Sequence, residues 1–215
     1  VDRIKIAVEN EIKLINTLLS STKLEGDKIV IDPEEINIRE EIEMAIHGNE
    51  KEAKDKNLPI INNVDQNTPN VYADKARVVE VLNNLVSNGV KYTDTGSVTV
   101  SSTYNEVEVE ITVADTGKGI SKEDLPKLGQ KFYRVSNYTE SSDSGRVDIV
   151  RPGGTGLGLF VTFNLIRKMG GDVRVESELG KGSKFIFTLP RYNGQKDGFH
   201  KTQSNDMFEK LGLKK

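Results

Sequence analysis

Hydrophobic and polar residues alternate one for one between Glu106 and Ala114. Val107, Val109, Ile111 and Val113 fall on one side, and Glu106, Glu108, Glu110 and Thr112 on the other. A period of two is a strand with one buried face and one face wet or only partly covered. Ser97–Tyr104 precedes it, so the two runs predict a hairpin around Asn105. The opening of the chain has a different period. Val1, Ile4, Val8, Ile15 and Leu18 recur at alternating spacings of three and four, with Glu11 interrupting the seam and Ile12 and Leu19 widening it. That predicts a helix from Val1 to about Lys23, ended by Gly26 as a C-cap residue. The stripe is coiled-coil-like and comes before any strand, which favours a helix that pairs with helices outside the following domain.

The remaining pattern predicts a short strand at Lys28–Ile31, a helix over Ile38–Asp55, and extended pieces at Leu58–Asn62 and Val71–Ala73. Asp74 is an N-cap candidate for a helix running to about Lys91. Residues 121–154 are irregular and polar, and a helix is expected over Gly156–Met169. Two closing strands, Asp172–Ser177 and Ser183–Leu189, flank a turn at Glu178–Gly182. Helices combined with a largely antiparallel sheet predict an α/β two-layer sandwich, preceded by one long helix. Residues 191–215 form a loosely ordered tail in this reading, with a short helix near Asp206–Leu211.

Composition narrows the function. The 215 residues are 35% hydrophobic and 29% charged, with a net charge of −3. That balance gives no reason to expect nucleic acid or an anionic membrane as partner. With no cysteine, disulfides and thiolate metal sites are excluded. No apolar run reaches the length of a membrane span and no signal peptide opens the chain, so a cytoplasmic location is expected. The start at Val1 rather than Met points to a piece of a longer protein, whose other parts can include membrane segments.

Three constellations carry chemistry. Arg151-Pro-Gly-Gly-Thr-Gly-Leu-Gly-Leu159 packs four glycines into six residues and leads into an apolar helical pattern. Glycine lets main-chain N–H groups approach phosphate, and a helix start adds partial positive charge. On the helix 74–91, Asn84 and Asn88 are four residues apart and share a face, with Lys91 three further on and Tyr92 beside it. Val78, Val81, Leu82, Leu85 and Val86 make that helix largely buried, so the amides need partners. Amide oxygens suit Mg²⁺, and Lys91 suits a phosphate. Asp115-Thr-Gly-Lys-Gly119 follows the alternating strand. A carboxylate there can accept from a ligand amino group while the glycines turn the chain under a flat ring. No dinucleotide fingerprint or P-loop is present, and Gly180-Lys-Gly-Ser183 reads as a hairpin turn. Between these constellations lies Lys131-Phe-Tyr-Arg-Val135, where Arg134 can reach a terminal phosphate. Residues 137–153 have the composition of a nucleotide lid.

Asn84-x-x-x-Asn88-x-x-Lys91-Tyr92-Thr93 resembles the N box of sensor histidine kinases. Asp115–Gly119 is similar to their first G box, Lys131–Arg134 to their F box and Gly154-Thr-Gly-Leu-Gly158 to their second G box. The order and spacing of the boxes match over residues 30–190. The resemblance implies a Bergerat-type sandwich, shared with type II topoisomerases, a class of heat-shock chaperone and MutL proteins. It implies Mg²⁺ on Asn88, a phosphate site lined by Asn84, Lys91 and Arg134, and adenine flanked by Tyr92. Asp115 then binds the adenine amino group in a pocket shaped by Gly117 and Gly119. Gly154, Thr155, Gly156, Leu157 and Gly158 supply the lid hinge and helix start. The implied cofactors are ATP (or ADP) and Mg²⁺. The implied reaction is phosphoryl transfer to a histidine on a dimerisation hairpin, for relay to the receiver domain of a response regulator, within a homodimeric parent. Residues 1–26 resemble the second helix of that hairpin and its junction, 27–190 the ATP-binding domain, and 191–215 the tail.

The family's acceptor histidine is missing. His47 lies inside the first domain helix and His200 in the tail, and neither has the acceptor's context, so neither is expected to be phosphorylated. Gly89 stands where the family often has Ala, Leu128-Gly129 replaces an apolar-plus-Phe pair, and either Arg146 or Arg151 can compete with Arg134 for the terminal phosphate. A related ATPase would need a carboxylate base where Asn84 stands, with Glu80 one turn earlier. A nucleotide-binding interaction module without kinase activity is the other alternative.

Overall fold

The computed structural model describes residues 2–135 and 155–194. In chain order the elements are α1 (Asp2–Glu25), β1 (Glu34–Ile36), α2 (Ile38–Asp55), β2 (Ile60–Asn63), β3 (Val71–Ala73), α3 (Lys75–Tyr92), β4 (Val98–Tyr104), β5 (Glu108–Asp115), a 3₁₀ turn at Leu125–Lys127, α4 (Gly158–Lys168), β6 (Val173–Glu178) and β7 (Gly182–Pro190). The main sheet runs β2-β4-β5-β7-β6, with β2 and β4 parallel and the other pairs antiparallel. α2, α3 and α4 cover one face. Val100, Ile111, Val113, Phe187 and Leu189 from the sheet join Ile42, Leu82, Leu85, Leu165 and Ile166 from the helices in one buried core. The result is the expected α/β two-layer sandwich behind a long helix.

Three elements differ from the sequence expectation. Lys28–Ile31 is not a strand. Lys28 N–H turns back to the Lys23 carbonyl and Asp32 N–H to the Asp74 carboxylate, so the ladder begins only after Pro33, where β1 pairs with β3. Val107 does not share the buried face of β5. Asn105 Oδ1 accepts the N–H groups of Val107 and Glu108 at 2.8 and 2.9 Å, which holds Val107 in the exposed turn. α4 begins at Gly158 rather than Gly156, because Gly156 has φ +70°, outside the right-handed helical region. The tail helix near Asp206–Leu211 lies outside the described residues.

Helix α3 is the centre of the layer and its ends are fixed. Asp74 caps it by accepting Arg77 N–H at 3.1 Å. At the other end Lys56 Nζ donates to the carbonyls of Val90 and Lys91 at 2.8 and 3.0 Å. A cation on terminal carbonyls also opposes the negative end of the helix dipole. Gly89 has a packing reason that outweighs its low helix propensity. A Cβ there would lie 3.0 Å from Val98 Cγ1, so glycine lets α3 sit close on β4. The register pairs Asp115 with Val98 and with Ser183, which places the carboxylate at the end of β5 beside the end of α3.

α1 packs against α4, so it has a partner helix within the chain. Val8, Ile12, Ile15, Leu18 and Leu19 nevertheless remain exposed along it. Replacing Lys56 with Met keeps the stem and removes the cap. Urea unfolding is expected to show a loss of roughly 1–2 kcal/mol; an unchanged midpoint would remove Lys56 as the anchor of the α3 terminus.

Candidate functional site

Asn84 is where two of the sequence constellations meet. Its Nδ2 donates to Thr162 Oγ1 on α4 at 2.8 Å. A Cβ on Gly158 would stand 2.8 Å from Asn84 Oδ1, so a larger residue there would push the amide aside. Asn88 follows one turn later, half-buried on the same face. Beyond it, Lys91 Nζ lies 5.2 Å from the Tyr92 ring centroid. Burial pushes the Tyr92 phenol above its ordinary pKa, while the charge of Arg134 pulls it back. Arg134, from the segment Lys131–Arg134, is therefore within electrostatic range of Tyr92.

The Asp115 loop is shaped by close backbone approaches. Gly117 N–H donates to Asp115 Oδ1 at 2.8 Å. A Cβ on Gly117 would lie 2.4 Å from the Tyr92 carbonyl, and one on Gly119 would lie 2.0 Å from the Glu178 carbonyl. Gly119 also has φ +67°. Both glycines are required by space, and they bring β5, the end of α3 and the β6–β7 turn together. Burial pushes the Asp115 carboxyl above the usual aspartate range, and the N–H groups of Gly117 and Ser183 pull it back. A half-buried acceptor at a strand end suits a ligand N–H.

The segment with Arg134 is pinned to the glycine loop. Phe132 N–H donates to the Gly156 carbonyl at 3.0 Å, and a Cβ on Gly156 would lie 2.7 Å from the Phe132 carbonyl carbon. Phe132 itself sits at φ +63°, a strained position for a non-glycine. Thr155 Oγ1 accepts Leu157 N–H at 3.2 Å, and Leu157 is buried. Tyr133 Oη donates to Asp124 Oδ1 at 2.5 Å, and this bond, with that from Ser121, holds the Asp124 carboxyl below the usual range. Leu128 packs on the core and Gly129 lies against the Phe163 ring.

Asn84, Thr155, Gly156, Leu157 and Gly158 thus gather at the α3–α4 junction, and Tyr92, Asp115, Gly117 and Gly119 at the strand end. Gly154, the lid expected over 137–153, Arg146 and Arg151 lie outside the described residues. Thr162 and Asp124 were missed by sequence reasoning. Thr162 is legible only as a polar residue one turn after Gly158 in an apolar run; Asp124 had no signal. His47 is exposed on α2 beside Glu50 at 3.7 Å.

The donor set fits a nucleotide: a half-buried carboxylate at one end and amides facing a glycine-lined helix start at the other. Among the described residues no group of three or more His, Cys, Asp or Glu is placed to hold a metal. A divalent cation here would rest on the Asn88 amide oxygen, with ligand phosphates and water completing its oxygen ligands.

Asp115 generates a measurable expectation. Its folded pKa is raised, so the stability it contributes is present below the ordinary value of 3.8 and is lost as pH rises through the raised one. A carboxyl NMR titration of the ligand-free chain is expected to place its midpoint above 3.8; a midpoint at or below that value would show that the two N–H bonds outweigh burial.

Residues 73–193 match the model of the histidine kinase-, DNA gyrase B-, and HSP90-like ATPase family. The sensor histidine kinase GacS of Pseudomonas protegens is 32% identical over 192 residues, covering 86% of this chain and 20% of that protein. The chain spans about a fifth of the length of such curated relatives. Among solved structures, full-length ShkA in complex with AMPPNP superposes with a TM-score of 0.74 at 25% identity, covering 88% of this chain and 38% of that one. The catalytic domain of histidine kinase ThkA, in a nucleotide-free form, gives 0.62 at 26% identity, covering 74% and 98%. The matched stretch contains Asn84, Asn88, Asp115 and the glycine start of α4. The chain belongs to the histidine kinase-, DNA gyrase B- and HSP90-like ATPase family.

Proposed function

We propose that this chain is the catalytic part of a sensor histidine kinase, moving the terminal phosphate of Mg-ATP to a histidine on a dimerisation hairpin, for relay to a receiver-domain aspartate. The observation that carries the reading is Asn84. At the position where a hydrolase of this family needs a proton acceptor, the side chain is an amide bonded to Thr162. An amide orients phosphate and takes no proton, which favours transfer to an external nucleophile over activation of water.

In this reading Asp115 accepts the adenine amino group, with Gly117 and Gly119 opening room for the ring and Tyr92 flanking it. Asn84, Lys91 and Arg134 hold the phosphates, and the N–H groups at the start of α4, after Thr155–Gly158, face the same charge. Asn88 would hold Mg²⁺ through its amide oxygen, and the ion would supply neutralisation of phosphate charge. Residues 1–26 form the second helix and junction of the hairpin, 27–190 the nucleotide domain. The exposed stripe of Val8, Ile12, Ile15, Leu18 and Leu19 suits the first hairpin helix and a second copy in a homodimer. No described helix is long and apolar enough to cross a membrane; we place the site in the cytoplasm.

The test is incubation with labelled Mg-ATP and a separate two-helix hairpin carrying one histidine. Acid-labile label is expected on the hairpin and none on this chain, since neither His47 nor His200 has an acceptor's setting. Release of free phosphate with no label on the hairpin would support the hydrolase alternative instead.

A further inference from the structure

Asp124 is assigned no contact with nucleotide, yet three side chains converge on it. Ser121 Oγ donates to its Oδ2 at 2.9 Å, and its own N–H donates back to Ser121 Oγ at 3.2 Å. Tyr133 Oη donates to Oδ1 at 2.5 Å. Lys127 Nζ stands 3.5 Å from that same oxygen and 5.6 Å from the Tyr133 ring centroid. A phenol bonded to a carboxylate at this distance is a charge-assisted bond, stronger than one between neutral groups. Both of its ends are anchored. On the carboxylate side, Ser121 comes two residues after the loop Asp115–Gly119, and buried Ile120 between them donates its N–H to Ser177 Oγ of β6 at 2.8 Å. On the phenol side lies the turn at Phe132, which has φ +63° and donates its N–H to the Gly156 carbonyl. A non-glycine in that conformation persists only where its surroundings hold it. Gly156 holds Phe132 itself, the Asp124 bond holds the next residue, and Val135 packs on the core two residues later. Arg134 is the exposed residue between those last two fixed points. Its charge is felt at the Tyr92 phenol, on the far side of the site.

Resting on the nucleotide part of the kinase reading, we propose that Asp124 is a positioning residue for the terminal phosphate, setting through Tyr133 where Arg134 stands. A long exposed side chain has many rotamers, and ordering it on a ligand costs less when its backbone is already held in place. The same carboxylate joins the two ends of the site, since it is anchored next to the loop that receives adenine and it holds the segment that receives the last phosphate. The effect is selective. ADP lacks the phosphate that Arg134 reaches, so the Tyr133–Asp124 bond strengthens the binding of ATP and leaves that of ADP alone.

The experiment measures Mg-ATP and Mg-ADP affinity by calorimetry on the parent chain, Tyr133→Phe, Asp124→Ala, Arg134→Ala and the double variant Tyr133→Phe/Arg134→Ala. The parent is expected to bind ATP more tightly than ADP. Tyr133→Phe, which loses only the hydroxyl, is expected to bind ATP about fivefold more weakly and ADP like the parent, less than the full effect of a charged hydrogen bond because only its influence on Arg134 reaches the ligand. Asp124→Ala is expected to show the same selective loss. Because Tyr133 acts through Arg134, the double variant is expected to bind ATP no more weakly than Arg134→Ala alone. Parental ATP affinity in Tyr133→Phe overturns the proposal. So does an equal loss for both nucleotides, which would make the bond a general support of the fold, and so does a double variant in which the two losses add. A parent that binds neither nucleotide overturns the nucleotide reading itself, and this proposal with it.

Discussion

The molecule depends on one close contact, between the Asn84 amide of α3 and the glycine that opens α4. Helix α3 has to bury Val78, Val81, Leu82, Leu85, Val86 and Val90, yet keep amides on its remaining side. Its 3.6-residue period separates the two demands, but a polar side chain on such a helix must still find partners. Thr162 supplies one, and the missing side chain at Gly158 lets α4 approach. Once α3 and α4 meet there, the start of α4 has a fixed place beside the Asn84 amide.

Other contacts hold that junction in register with the rest of the chain. Phe132 is kept at an unfavourable φ, a strain on the order of 1–3 kcal/mol, by its backbone bond to Gly156. Lys131, next to it, pairs with Glu25 at 2.5 Å, and Lys168 of α4 pairs with Asp27. Exposed pairs of this kind contribute little stability each. Their consequence is geometric: the end of α1 touches both the segment carrying Arg134 and the helix that carries the glycine start.

Most of the fold was legible because its signals are local. The alternation of β5, the apolar face of α3 and the Asp74 cap each follow from residues within one element. What escaped the sequence is non-local. Lys28–Ile31 looks like a strand until its neighbouring N–H groups are seen to bond α1 and Asp74 instead. Gly156 looks like a helix residue until Phe132 is found against it. Gly89 looks like a flaw until Val98 is placed beneath it. The site divides the same way. Asn84, Asn88, Asp115 and the glycines were readable from spacing and residue type, whereas Thr162 acquires meaning only when α4 is brought beside α3.

The central claim is that α3 presents an amide oxygen to the metal of a metal–nucleotide complex. It is tested most directly by calorimetric titration of ATP with and without Mg²⁺, on the parent chain and on Asn88→Ala. The account predicts that Mg²⁺ strengthens binding to the parent by roughly tenfold, equivalent to about 1.4 kcal/mol. In Asn88→Ala that strengthening is largely lost while metal-free binding is unchanged. An undiminished Mg²⁺ effect in Asn88→Ala would contradict it.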